Sequence, residues 1–136
     1  MTRMGTDNRI PTFETERLVL SPVTLEDVAD IEKYFVDYDV IRYLSTQVPW
    51  PYPKGEAERF VRDNVVPFQG QDKWVWGLRL KPNRSELIGV VDLWRDGCPE
   101  HRGFWLGRPF WGRGLMTEAV QPIMDYAFDE LGFETL

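Results

Sequence analysis

Between residues 24 and 65 the apolar positions recur mostly every three or four residues, whereas from Lys73 to Gly107 they run in short blocks separated by turn residues. Ahead of the first helical stretch, residues 17–21 predict a strand that Pro22 ends. Thr24-Leu-Glu-Asp27 then has the form of a capping box, in which a hydroxyl and a carboxylate three residues apart satisfy each other's backbone N–H groups. Behind it, Leu25, Val28, Ile31 and Phe35 form an apolar stripe that predicts a first helix over 25–36. Residues 47–53 carry three prolines with Trp50 and Tyr52 between them and predict an aromatic loop, because proline has no N–H to give a helix. Ala57, Phe60, Val61 and Val65 mark a second helix.

The second regime predicts strands at 74–81, 86–94 and 102–107, with turns at 82–85 and around 96–97, and strands this short with tight turns imply an antiparallel meander. A third helix follows over 115–131, with Val120, Ile123, Ala127 and Leu131 on one face and Gly132 just past its end. Pro122 lies inside it and predicts a kink. Residues 133–136 sit where the right-handed crossover rule places the start of a strand parallel to the third meander strand. Residues 1–12 are polar and aperiodic and predict a flexible tail, which leaves 13–136 as a single domain.

Composition narrows the class. A chain of 136 residues, 43% hydrophobic and 14% aromatic, suits one domain with a real core. It contains no run of about 18 apolar residues and no apolar signal core at its amino terminus, so neither a membrane span nor secretion is expected. Cys98 is the only cysteine, which excludes an internal disulfide and fits a reducing, cytoplasmic setting. One histidine and one cysteine do not furnish the usual metal-ligand clusters, and no metal is expected. The net charge of −6 opposes general nucleic-acid binding and is compatible with a cationic acceptor.

Candidate chemistry concentrates between the third strand and the third helix. Gly112 and Gly114 flank Arg113 and open directly onto the helix. Glycine permits positive φ and close ligand approach, and the first-turn N–H groups of a helix lack internal partners and carry its positive dipole end. Strand, glycine loop and helix in that order can build a phosphate cradle, although glycine also serves tight turns and close packing. The loop lacks both the Gly-Lys-Ser/Thr of a P-loop and the third glycine of a dinucleotide fingerprint.

Five segments resemble the GCN5-related N-acetyltransferase superfamily, most closely the branch that acetylates ribosomal-protein amino termini. They are Glu14-Thr-Glu-Arg-Leu-Val-Leu, Asp39-Val-Ile-Arg-Tyr-Leu, Leu87-Ile-Gly-Val-Val, Phe104-Trp-Leu-Gly and Trp111-Gly-Arg-Gly-Leu-Met-Thr-Glu-Ala. The last corresponds to the superfamily's pyrophosphate loop, with Trp111 at a Gln/Arg position and Met116 at a Gly/Ala position, where it leaves less room. The resemblance implies an α/β acyl-CoA N-acyltransferase fold with a mixed (α+β) sheet, an antiparallel meander with helices on both faces, and a final quarter, including the C-terminal strands, lying beyond residue 136. It implies acetyl-CoA as cosubstrate and a primary amine, a protein amino terminus or a small molecule, as acceptor. The backbone of Phe104, Trp105 and Leu106 would hold the acetyl and pantetheine groups, and Gly112, Arg113, Gly114, Leu115, Met116 and Thr117 the pyrophosphate.

The proton-transfer groups stay open. Residues 102–107 contain no carboxylate, so the candidate bases are Glu100 and His101 at the strand's start and Asp92 on the strand before, and water-mediated deprotonation needs no dedicated side chain. Trp50 and Tyr52 either line an acceptor groove or close over the core. An unpaired sheet edge invites a second copy of the chain, a homodimer. Two functions follow: direct acetyl transfer to an amine, or a non-catalytic acyl-CoA-binding module that has lost its chemistry.

Overall fold

The computed structural model describes residues 10–35, 37–41, 52–71, 73–95 and 101–133. Five strands build one sheet in chain order: β1 (Phe13–Glu14), β2 (Leu18–Pro22), β3 (Lys73–Leu80), β4 (Gly89–Trp94) and β5 (His101–Leu106), each antiparallel to its neighbour. β3, β4 and β5 are the expected meander. β2 reaches one residue further than its pattern suggests, with Pro22 at the strand's last position opposite Trp76. β4 starts later than expected, at Gly89, since the Leu87 N–H leaves the ladder to donate to Asp30 Oδ2 at 3.0 Å.

Side-chain alternation sends apolar residues to both faces of this sheet. On one face Leu18, Leu20, Trp76, Leu78, Val91 and Leu93 pack against α4 (Leu115–Asp129), which contributes Leu115, Ala119, Ile123 and Ala127 at helical spacing. Each fully buried aliphatic side chain here stabilises the fold by about 1.5–3 kcal/mol. On the other face Val75 and Val90 meet Val23, Ile31, Ala57, Val61 and Val65.

That second layer contains α1 (Val28–Phe35), entered through a 3₁₀ turn at Leu25–Asp27, the short α2 (Tyr38–Ile41), and α3 (Glu56–Phe60). α3 continues into a π turn at Val61–Val65 and a 3₁₀ turn at Val66–Phe68. Ala57, Val61 and Val65, four apart, are its buried face. Phe60, counted with that face on sequence grounds, is 38% exposed, because the continuing spiral turns it outward.

The capping box at Thr24 forms as expected: Thr24 Oγ1 accepts from the Glu26 N–H at 3.2 Å, and Asp27 Oδ2 accepts from the Thr24 N–H at 2.9 Å. Asp27 has a second task. It is buried and pairs in a bidentate fork with Arg79 of β3, at 2.8 and 3.0 Å, while Arg79 Nε donates to Ser21 Oγ at 2.7 Å. This pair fastens the start of α1 to the sheet.

Ordered packing begins before β1. Ile10 is buried in the α4-side core and the Pro11 carbonyl accepts from the Trp76 indole N–H at 2.9 Å. Residues 1–9 of the expected tail lie outside the described residues. α4 continues through Pro122, whose missing N–H leaves the Glu118 carbonyl without its usual helical donor. Gly132, at φ +75°, reverses the chain after the helix, and the Phe133 N–H returns to the Ala127 carbonyl at 2.9 Å.

Candidate functional site

β5 has a strand neighbour on one side alone among the described residues, and α4 starts beside its end. Between them opens a cavity of ≈ 570 Å³. Phe104, Trp105 and Leu106 of β5 form one wall and Val40 of α2 another; Phe110, Trp111, Gly112 and Gly114 bring the connecting loop, and Leu115, Met116 and Thr117 the first turn of α4.

The loop's shape follows from its two glycines. Gly112 and Gly114 take φ of +80° and +75°, and a Cβ at Gly112 would meet nothing within 4 Å. Conformation, not crowding, therefore calls for glycine at Gly112, since a left-handed backbone costs other residues roughly 1–2 kcal/mol. Gly114 is the N-cap of α4, and among the described residues no side chain caps that end. Its first-turn N–H groups thus begin at the cavity with the positive end of the helix dipole and, among the described residues, no side-chain cap.

Three sets of contacts hold the loop. Trp111 Nε1 donates to the Leu106 carbonyl at 2.7 Å, tying the loop back to β5. Arg108 donates to Asp37 at 3.0 Å and to Asp39 at 3.1 Å, tying it to α2. Arg17 donates from Nη1 to the Arg113 carbonyl at 2.9 Å and from Nε to Glu118 Oε1 at 2.7 Å, tying it to the β1–β2 hairpin. Tyr34 of α1 supports the base, edge-on to Phe110 at 5.4 Å. It lies so close to Gly107 that a Cβ there would sit 2.9 Å from its ring.

Residues 17–136 match the model of the acetyltransferase (GNAT) domain. The chain belongs to the GNAT acetyltransferase family. It is 28% identical over 128 residues to the uncharacterized N-acetyltransferase p20 of Bacillus licheniformis, a match that covers 92% of this chain and 70% of that relative. In fold it is similar to a GNAT-family acetyltransferase from Bacillus anthracis, with a TM-score of 0.70 and 21% identity over 90% of this chain and 69% of that one. It is also similar to the ribosomal L7/L12 alpha-N-protein acetyltransferase in complex with coenzyme A, with a TM-score of 0.64 and 21% identity over 87% of this chain and 66% of that one.

Within this GNAT domain the cavity gathers the sequence-based cofactor residues. Phe104, Trp105, Leu106, Gly112, Gly114, Leu115, Met116 and Thr117 all line it. Arg113 sits between the two glycines, with its guanidinium 5.8 Å from the Phe110 ring centre and Nη2 at 3.4 Å from the Pro109 carbonyl. Met116 both lines the cavity and packs against the α4-side core, so part of its bulk is drawn inward.

One candidate base, Asp92, is placed elsewhere. Asp92 stands on β4 opposite Gly103 and accepts from the Gly103 N–H at 3.0 Å. His101 opens β5 opposite Trp94. Asp92 is not among the residues lining the cavity, and Glu100, Trp50 and the side chain of His101 lie outside what the structure describes. Tyr52 is brought into an aromatic chain: it meets Phe35 edge-on at 5.2 Å, and Phe35 meets the cavity-lining Trp105 at 5.1 Å. Burial, then the neighbouring Glu56 carboxylate, pushes the Tyr52 hydroxyl up to about 12, against a smaller opposing pull from Arg59. Tyr52 is therefore a proton-bearing phenol across the neutral range and not a base.

Sequence reasoning missed Val40 and Arg17. Val40 stands on a four-residue helix too short to show a periodic pattern. Arg17 and Glu118 both fall in segments that carry the family resemblance, but nothing local in either segment tells that they touch.

Proposed function

We propose that this protein uses acetyl-CoA to acetylate a primary amine by direct attack, without a covalent enzyme intermediate. The observation that carries the reading is the amino terminus of α4, uncapped among the described residues, opening through two left-handed glycines onto a cavity walled by β5. Unsatisfied helix N–H donors suit a diphosphate. The edge of a strand offers backbone donors and acceptors to an extended amide-bearing arm. Together these residues fit coenzyme A.

In this reading residues 112–117 hold the diphosphate, with Arg113 adding a permanent cation. The backbone of Phe104, Trp105 and Leu106 orients the pantetheine and acetyl groups. Bound acetyl-CoA supplies a thioester whose carbonyl is open to attack. The β5 N–H groups stabilise charge developing on that carbonyl oxygen. Tyr52, Phe35 and Trp105 form an apolar wall on the acceptor side, which excludes water from the attacking amine. The amine loses its proton to water or to one of Glu100, His101 and Asp92; as its nitrogen bonds to the carbonyl carbon the C–S bond breaks, and coenzyme A leaves as a thiolate that takes up a proton from solvent.

The runner-up is a non-catalytic acyl-CoA-binding module. What favours it is that Asp92, the one candidate base whose side chain the structure describes, is not among the residues lining the cavity. Steady-state assays with amine panels, from amino-terminal peptides to polyamines, separate the two. Intersecting double-reciprocal lines with an acetylated amine as product support direct transfer. Ping-pong kinetics, or coenzyme A binding without turnover on any amine, would sink it.

A further inference from the structure

Glu118 lies in the first turn of α4, the end that opens onto the cavity. A carboxylate there stabilises the helix, but it opposes any anion placed at the same terminus. The side chain is not left to do so. Glu118 Oε2 accepts from the Arg17 backbone N–H at 2.8 Å and from the Thr15 hydroxyl, and Oε1 accepts from Arg17 Nε at 2.7 Å. Burial pushes the Glu118 carboxyl up, yet the bonds from Thr15 and Arg17 outweigh it and hold the group below the usual carboxylate range, so it stays charged. Its charge is met by a cation in direct contact.

The same guanidinium does two further things. Nη1 donates to the Arg113 carbonyl at 2.9 Å. In a trans peptide the carbonyl of Arg113 and the N–H of Gly114 point in opposite directions, so fixing one aims the other. Nη2 is the atom nearest to where a Gly114 Cβ would lie, at 3.7 Å, which places positive charge at the cradle's rim.

We infer that Arg17 is a positioning residue for the diphosphate: it neutralises Glu118, turns the Arg113 carbonyl toward the β1–β2 hairpin, and so keeps the cradle a site for anions. This rests on the coenzyme A reading above. It assigns the hairpin, more than 90 residues away in sequence, a part in cofactor affinity as well as in the fold.

The test titrates coenzyme A, and separately pantetheine, which lacks the diphosphate, into wild type, Arg17→Gln, Glu118→Gln and the double variant. Arg17→Gln is expected to weaken coenzyme A about tenfold or more while leaving pantetheine unchanged, because an unopposed carboxylate then faces the phosphates. Glu118→Gln, which removes the repelling charge and keeps Arg17, is expected to bind coenzyme A at least as tightly as wild type. The double variant is expected to recover most of the Arg17→Gln loss. A contact that merely fastened the fold would give the opposite sign for Glu118→Gln and no recovery in the double variant, and that result overturns the inference even if Arg17→Gln alone fails to fold. Equal affinities of wild type and Arg17→Gln overturn it too. No coenzyme A binding by wild type overturns the functional reading itself, and this inference with it.

Discussion

Two helices in this protein begin in opposite ways. At Thr24 the chain closes its own helix start: a hydroxyl and a carboxylate take up backbone N–H groups, and the carboxylate is itself locked by Arg79. At Gly114 the helix starts with no side-chain cap, in a left-handed glycine, beside a cavity. The first end is satisfied from within and serves stability. The second leaves its first-turn donors without a side-chain cap among the described residues. Glu118 supplies negative charge near the second end as Asp27 does at the first, but it is turned onto Arg17 and Thr15 and caps nothing. α3 also starts uncapped at a left-handed glycine, Gly55, so what singles out the α4 start is the cavity beside it: an open helix end at a cavity is a candidate anion site.

Breaking the closed end should cost stability and leave binding alone. Asp27→Ala removes the buried partner of Arg79 and half of the capping box, and about 3–5 kcal/mol of unfolding free energy is the expected loss, read from urea denaturation. Where the variant remains folded, its affinity for coenzyme A should match wild type. A comparable loss of affinity would show that the two ends are not separable. Thr24→Ala removes the hydroxyl cap alone, for an expected 1 kcal/mol or so in the same assay.

A smaller effect is expected at the open end from Trp111→Phe. It keeps the aromatic wall but loses the bond from the indole N–H to the Leu106 carbonyl. A loss of about 1 kcal/mol corresponds to a roughly fivefold weaker coenzyme A complex, with unfolding little changed. If unfolding shifts and affinity does not, the Trp111 contact belongs to the fold and not to the site.

Both helix starts were legible in the sequence, because each is written in residues close together. Thr24 and Asp27 lie three positions apart, and Gly112 and Gly114 adjoin the helix they open. The meander was legible for the same reason. What the chain conceals is pairing at a distance: Arg17 with Glu118, 101 positions apart, and Arg79 with Asp27, 52 apart, meet only once the sheet's register is set. Short elements hid as well. β1 has two residues and α2 has four, below the length at which any periodicity shows, although α2 supplies Val40 to the cavity. Phe60 misled for a different reason, since an α helix that widens into a π turn changes which side chains face inward.

The central claim is that the open end of α4 is the diphosphate site, and Gly114→Asp tests it most directly. Aspartate tolerates a left-handed backbone better than most residues, and its charge favours a helix start while opposing a phosphate. Calorimetric titration of coenzyme A into wild type and this variant, with thermal unfolding measured alongside, should show saturable binding to wild type, at least a roughly hundredfold loss in the variant, and little change in melting temperature. Equal affinity in a folded variant would contradict the claim and place the cofactor elsewhere on the molecule.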